Sequence, residues 1–140
     1  MFRNLALRAA SPTLAMDISP EFRITKMSPL FIVKDIERSV AFFTGQLGFH
    51  VEFRYEGFYV GVRNDVASIH LKKSYFPSAG QKTDSDDLDI VFSVTGIEAL
   101  YQRLSANSVQ ITQPLRQMPY GKEFYISDPD GHILAFVESA

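Results

Sequence analysis

Phe31-Ile32-Val33-Lys34-Asp35-Ile36-Glu37 recurs, loosened, as Phe92-Ser93-Val94-Thr95-Gly96-Ile97-Glu98. In each copy, alternating apolar residues give way to a helical pattern. A period of about sixty residues is too long for a solenoid, and two copies are too few to build one, so the repeat announces a pseudo-symmetric single domain. The crease between the halves is the expected place for a ligand.

Outward from the first copy, Ser28 to Val33 has the apolar content of a strand, and Asp35 suits the N-cap of a helix beginning at Ile36. Ile36, Val40, Phe43 and Leu47 fall on one helical stripe, and Gly48 can take the left-handed conformation that ends it. Strands are expected at Val51–Tyr55, Phe58–Val62 and Ala67–Lys72, separated by Glu56-Gly57 and Arg63-Asn64-Asp65. Ser74 to Asp87, with Pro77, Gly80, Asp84, Asp86 and Asp87, reads as a solvated linker.

The second half repeats the plan. A strand is expected over Leu88–Val94, and Thr95 with Glu98 forms a capping box before a helix carrying Ile97, Leu100, Tyr101 and Leu104, which Asn107 can end. Strands then fit Val109–Thr112, Glu123–Ser127 and Ile133–Glu138, the last two joined by the turn Asp128-Pro129-Asp130-Gly131. Each half thus reads strand, helix, three strands. Laying Tyr59–Leu71 over Phe124–Phe136 sets Asp65 over Asp130 and His70 over Ala135, and places extra residues near Gln113–Gly121, a candidate lid or recognition loop.

Composition narrows the function classes. The 140 residues are 46% apolar and 21% charged, ordinary for one globular domain. A net charge of −2 with scattered Lys and Arg offers no footprint for nucleic acid. No apolar run approaches the roughly 18 residues of a membrane span, so a cytoplasmic protein with no membrane partner is expected. Absence of cysteine excludes disulfides, thiol nucleophiles and thiolate metal sites. Residues 1–23 read as an N-terminal arm or upstream start; Arg3, Arg8 and the leucines also admit a transit peptide. The expected division is therefore an arm at 1–23 and one domain at 24–140, comprising module one (24–73), the linker (74–87) and module two (88–140). There is no Gly-x-Ser-x-Gly elbow, phosphate-binding loop or dinucleotide fingerprint. Ser39 and Ser93 have no base nearby in sequence.

A duplicated strand-helix-three-strand unit ending in Asp128-Pro129-Asp130-Gly131-His132-Ile133-Leu134-Ala135-Phe136, together with Val33-x-Asp35-Ile36-x-x-Ser39, resembles the vicinal oxygen chelate superfamily, which includes glyoxalases, extradiol dioxygenases and bleomycin resistance proteins. The resemblance covers residues 24 to 139. Tyr120-Gly121-Lys122-Glu123-Phe124-Tyr125-Ile126-Ser127 before the same turn looks most like the bleomycin resistance branch. It implies an α+β fold of two tandem βαβββ modules, forming curved mixed sheets around a cleft, often in a homodimer.

Metal-dependent members of that superfamily place a His, Glu or Gln on the first and last strands of each module. On this chain the four positions fall at Ser28, His70, Asp89 and Ala135. Ala135 has no donor and Ser28 a poor one, while His132, three residues from Ala135, lies on the other strand face. The expectation is therefore no resident metal. The alternative is a divalent ion held by His70 and Asp89 in a lyase, isomerase or dioxygenase.

His70 lies between Ile69 and Leu71 and so faces solvent or cleft, either merely hydrogen-bonded or as a donor to a ligand. Asp89, between Leu88 and Ile90, is either an edge charge or the contact for a cationic group. Lys122-Glu123 reads as a local charge pair where the strand begins. With twelve Phe and six Tyr, some strand aromatics should wall the cleft, so the expected ligand-binding set is Ser28, Tyr59, His70, Asp89, Phe124 and Ala135. The leading expectation is sequestration of a small organic molecule rather than catalysis, and a purely structural dimerisation module is the remaining rival.

Overall fold

Alternation along Leu30-Phe31-Ile32-Val33 buries Phe31 and Val33 and leaves Leu30 and Ile32 48% and 46% exposed, so this strand has one face in a core and one outside it. A computed structural model describes residues 21–75 and 87–140. In chain order the elements are β1 (Leu30–Val33), α1 (Ile36–Leu47), β2 (His50–Tyr55), β3 (Tyr59–Asn64), β4 (Ala67–Lys73), β5 (Ile90–Ser93), α2 (Ile97–Ala106), β6 (Ile111–Met118), β7 (Gly121–Ser127) and β8 (Ile133–Ser139). The expected arm at 1–23 and linker at 74–87 lie largely outside the described residues.

The two halves build matching mixed sheets, ordered β1-β4-β3-β2 and β5-β8-β7-β6. In each, the first strand runs parallel to the last and the others pair antiparallel. The α+β architecture of two βαβββ modules is thus the observed one. Asp35 caps α1 by accepting from Arg38 N, and Gly48 ends it at φ 71°. Ile36, Val40, Phe43 and Leu47 of α1 share a core with Val60, Val62, Ile69 and Leu71 of β3 and β4. Burying each such side chain contributes about 1.5–3 kcal/mol. In the second module, Ile97 and Leu104 of α2 share that core with Phe124, Ile126, Leu134 and Phe136.

The core is continuous across the halves. Phe49 meets Phe92 at 6.2 Å between ring centroids, and the His132 ring stacks on Phe31 at 4.2 Å. Asp130, in the turn before β8, accepts from Lys34 N at 2.9 Å and from Ser39 Oγ at 3.3 Å. Helix-side faces therefore join the modules, and the sheet faces opposite the helices lie outside that core.

Two local expectations also change. Thr95 does not cap α2: the N-cap is Gly96 at φ 75°, and Glu138 of β8 supplies the acceptor, its Oε1 2.9 Å from Ile97 N. The Gln113–Gly121 stretch is not a lid, because β6 continues to Met118 and pairs with β7 through Met118 and Gly121. Pro114 is tolerated since β6 is an edge strand, and the register shifts between Ile111 and Arg116 take up the extra residues. Among the described residues no helix is long and apolar enough to cross a membrane.

Candidate functional site

On the face of the first sheet opposite α1, His70 of β4 pairs with Leu30 of β1 on one side and Gly61 of β3 on the other. Its Nδ1 lies 2.8 Å from Tyr59 Oη. Phe53 of edge strand β2 crosses this face: its ring is edge-on to the His70 ring at 5.1 Å and near-parallel to Tyr59 at 6.1 Å. Tyr55 extends the aromatic row, 5.6 Å from Phe53 and 63% exposed. His70 Nε2 is out of contact with water and has no hydrogen-bond partner. An unpaired buried nitrogen of this kind costs about 1–3 kcal/mol, so it marks a place where something polar belongs.

Of the residues expected at the site, Tyr59 and His70 come together. Ser28, two residues ahead of β1, shares a 2.8 Å hydrogen bond with Ser68, on the same face of β4 as His70. Asp89 belongs to the other module, where its Oδ2 accepts from Ile133 N at 2.8 Å. Ala135 is buried with Tyr125, Ile133 and Leu88 on the face opposite α2.

Phe124 is a correction. It is fully buried on the α2 side, 5.0 Å from both Tyr101 and Phe136. Four residues separate the paired Arg63 and Ser68, whereas five separate Ser127 and Ile133. With His70 over Ala135, the one-residue longer turn sets Glu123, not Phe124, opposite Tyr59, because a single-residue slip turns every side chain to the other face.

Glu123 heads a cluster that the reading of Lys122-Glu123 as a local pair missed. It is only 2% exposed, and it accepts from Tyr120 Oη at 2.5 Å, Arg116 Nε at 2.7 Å and Tyr125 Oη at 3.1 Å. Arg116 also donates to Gln113 Oε1 at 3.2 Å. Lys122 points away and pairs with Glu98. Burial pushes the Glu123 carboxyl up, but the Tyr120, Arg116 and Tyr125 hydrogen bonds outweigh it and hold the group below the usual carboxylate range. Bonding to Glu123 raises Tyr120, and burial with the same carboxylate raises Tyr125. Near neutrality this leaves an ionised acid and two protonated phenols, an arrangement that fixes Arg116 rather than one poised for proton transfer. The sequence signal was available: period-2 spacing of Glu123 and Tyr125 puts both on one strand face.

Of the four positions compared for a divalent ion, only His70 and Asp89 carry an imidazole or carboxylate donor, and they stand in different modules. Ala135 offers none, Ser28 Oγ is engaged by Ser68 and an Asp89 oxygen by Ile133 N. Among the described residues no three His, Asp or Glu side chains gather as a ligand set. A hollow of about 570 Å³ opens elsewhere, between the start of α2 and the ends of β7 and β8, lined by Ile97, Glu98, Lys122 and Glu138 among others. Its charged groups are already paired, Glu98 with Lys122 and Glu138 with Ile97 N, and it includes none of the expected site residues.

Comparison with known proteins agrees with this architecture. The chain is similar to a fosfomycin resistance protein, FosX, from Listeria monocytogenes (TM-score 0.70, 17% identity, 85% of this chain and 96% of that one). It is also similar to TioX from Micromonospora sp. ML1 (TM-score 0.68, 17% identity, 83% and 99%) and to a lactoylglutathione lyase from Agrobacterium tumefaciens (TM-score 0.63, 15% identity, 82% and 94%). At such identities the likeness is one of fold. No curated protein sequence matches the chain. The model of one family matches residues 25–136, from ahead of β1 into β8, and the chain belongs to that family, the Glyoxalase/Bleomycin resistance protein/Dioxygenase superfamily.

Proposed function

We propose that this chain binds a small organic molecule on the face of its first sheet opposite α1 and sequesters it in the manner of the bleomycin resistance branch, without a resident metal and without turnover. One observation carries the reading: Phe53 and Tyr59 pack on an imidazole whose Nε2 is buried and unpartnered, and Tyr55 extends their aromatic row. Apolar walls with a single oriented polar atom suit a small ligand. A protein of similar fold is named for resistance to fosfomycin, which makes small drug molecules a class to test on this scaffold.

The working form is a homodimer. Leu30 and Ile32 on edge strand β1, and Val91 on edge strand β5, are exposed apolar residues at corresponding places in the two modules. A second copy would cover them.

The test is elemental analysis of protein purified without chelators, followed by titration with candidate drugs read through tyrosine fluorescence, which the absence of tryptophan leaves unobscured. Metal-free protein with saturable quenching, weakened in His70→Ala, is expected. One divalent ion per chain, lost in His70→Ala, would overturn this reading in favour of a metal-dependent lyase, isomerase or dioxygenase using His70 and Asp89. Light scattering reads the dimer.

A further inference from the structure

Gly61 lies under an aromatic ring. A Cβ at this position would stand 2.2 Å from Phe53 Cε2 and 2.6 Å from Phe53 Cζ, so the Phe53 ring rests directly on the β3 backbone. Glycine in a strand interior marks a close approach of this kind. The ring that makes it is only half-buried and comes from an edge strand whose register shifts between Val51 and Phe53. Of the two rings packed on His70, Tyr59 brings a hydroxyl to Nδ1, whereas Phe53 brings no polar atom. Nε2 is left with nothing.

We propose that Phe53 occludes a ring-sized subsite over Gly61 in the free protein, and that a flat heteroaromatic ring displaces it and hydrogen-bonds through its edge to His70 Nε2. The proposal rests on the small-molecule reading above and names the ligand class for that face. A slot floored by bare backbone and walled by Tyr59, to which Phe53 lies within 19° of parallel, takes a planar ring. Polarity comes from His70. If Tyr59 donates to Nδ1, Nε2 carries a hydrogen and asks for an acceptor; if Nδ1 donates to Tyr59, Nε2 asks for a donor. A ring bearing one N–H and one bare nitrogen meets either state.

The occlusion has a quantitative consequence. If the swung-out state of Phe53 is about a tenth of the population, apparent affinity falls about tenfold, and removing the ring restores it. The probe is benzimidazole, with naphthalene as a flat control lacking polar atoms, titrated into full-length ¹⁵N-labelled protein at pH 8. Expected are saturable movement of the His70 Nε2 resonance with benzimidazole, no Nε2 hydrogen-bond shift with naphthalene, and about tenfold tighter benzimidazole binding in Phe53→Ala. Phe53→Leu keeps apolar volume without the flat ring and should fall between, which holds the test open if the alanine variant folds poorly. Unchanged affinity in both variants, or saturation with Nε2 unmoved, overturns the occlusion while leaving small-molecule binding standing. Absence of benzimidazole binding in all three proteins overturns it too, and the drug titration above then decides the broader reading separately.

Discussion

Asp130 Oδ1 accepts a hydrogen bond from Lys34 N at 2.9 Å, across 96 positions of sequence, so the last turn of module two caps the segment leading into the first helix of module one. Arg38 reaches the same oxygen at 3.2 Å and Ser39 Oγ the other at 3.3 Å. A carboxylate at the positive end of a helix is favourable on its own account. Here it also ties two modules into one cooperative unit. Asp130→Ala removes the shared acceptor of Lys34 N, Arg38 and Ser39 Oγ and should cost about 1.5–3 kcal/mol, the range for hydrogen bonds to a charged group. Urea unfolding should show that loss, and a transition that broadens or splits would indicate partly uncoupled modules.

His132 is the titrating group at the same seam. Its Nδ1 lies 2.8 Å from Asp128 Oδ2 and its ring stacks on Phe31. Burial lowers its proton affinity, but Asp128 more than offsets this, with Asp89 and Asp130 adding to it, so the imidazole is held above its ordinary value. The sign follows from linkage: with the folded value above the unfolded one, this stabilisation is complete below about pH 6.5 and disappears as pH rises through the folded value. Thermal melts between pH 6 and 8.5 should show stability falling on the alkaline side. His132→Gln should flatten that slope, and an unchanged slope would assign it to another group.

Glu123 acts on the opposite limb. Its folded value is below the unfolded one, so its contribution is present above the ordinary carboxylate range and is lost as pH falls through the folded value. Glu123→Ala removes the shared acceptor of Tyr120, Tyr125 and Arg116 from a site only 2% exposed. Breaking such a buried network costs about 3 kcal/mol or more. Glu123→Gln retains an acceptor oxygen and should cost less, while shrinking the acid dependence below pH 5 in the same melts, with Glu52, held at about 2 by Lys26 and Arg63, supplying part of what remains.

The repeat, both helices and the two-sheet plan were legible in the sequence because they are periodic, and periodicity survives divergence. Phe31 and Val33, then Ile69 and Leu71, gave the buried faces directly. The site was harder, because it depends on register. A hairpin turn longer by one residue put Glu123 where Phe124 was expected, and no alternation pattern reports the length of a partner's turn. Glu138 capping Ile97, and Asp130 reaching Lys34, are likewise contacts between distant segments that local motifs such as Thr95-x-x-Glu98 cannot foresee. The meeting of Tyr59 and His70 could be read only once β3 and β4 were paired.

Two glycines offer a contrast in what their missing side chains spare. At Gly121, φ is 138° and an added Cβ would meet the Glu138 carbonyl oxygen at 2.1 Å and Ser139 Cα at 2.9 Å, both backbone atoms of the neighbouring strand. Nothing there can rotate aside, and the conformation itself is strained for any other residue. At Gly61 the obstacle is the Phe53 ring, which can swing off an edge strand. Gly121→Ala should therefore cost about 3 kcal/mol, combining backbone strain with overpacking. Gly61→Ala should cost about 1 kcal/mol, near the lower end for overpacking, because a side chain gives way rather than a backbone. Chemical denaturation ranks the two, and near-ultraviolet circular dichroism reads whether Gly61→Ala shifts the Phe53 and Tyr59 environment. Equal costs for the two variants would mean that the Phe53 ring is as firmly fixed over β3 as the backbone of β8 is beside Gly121.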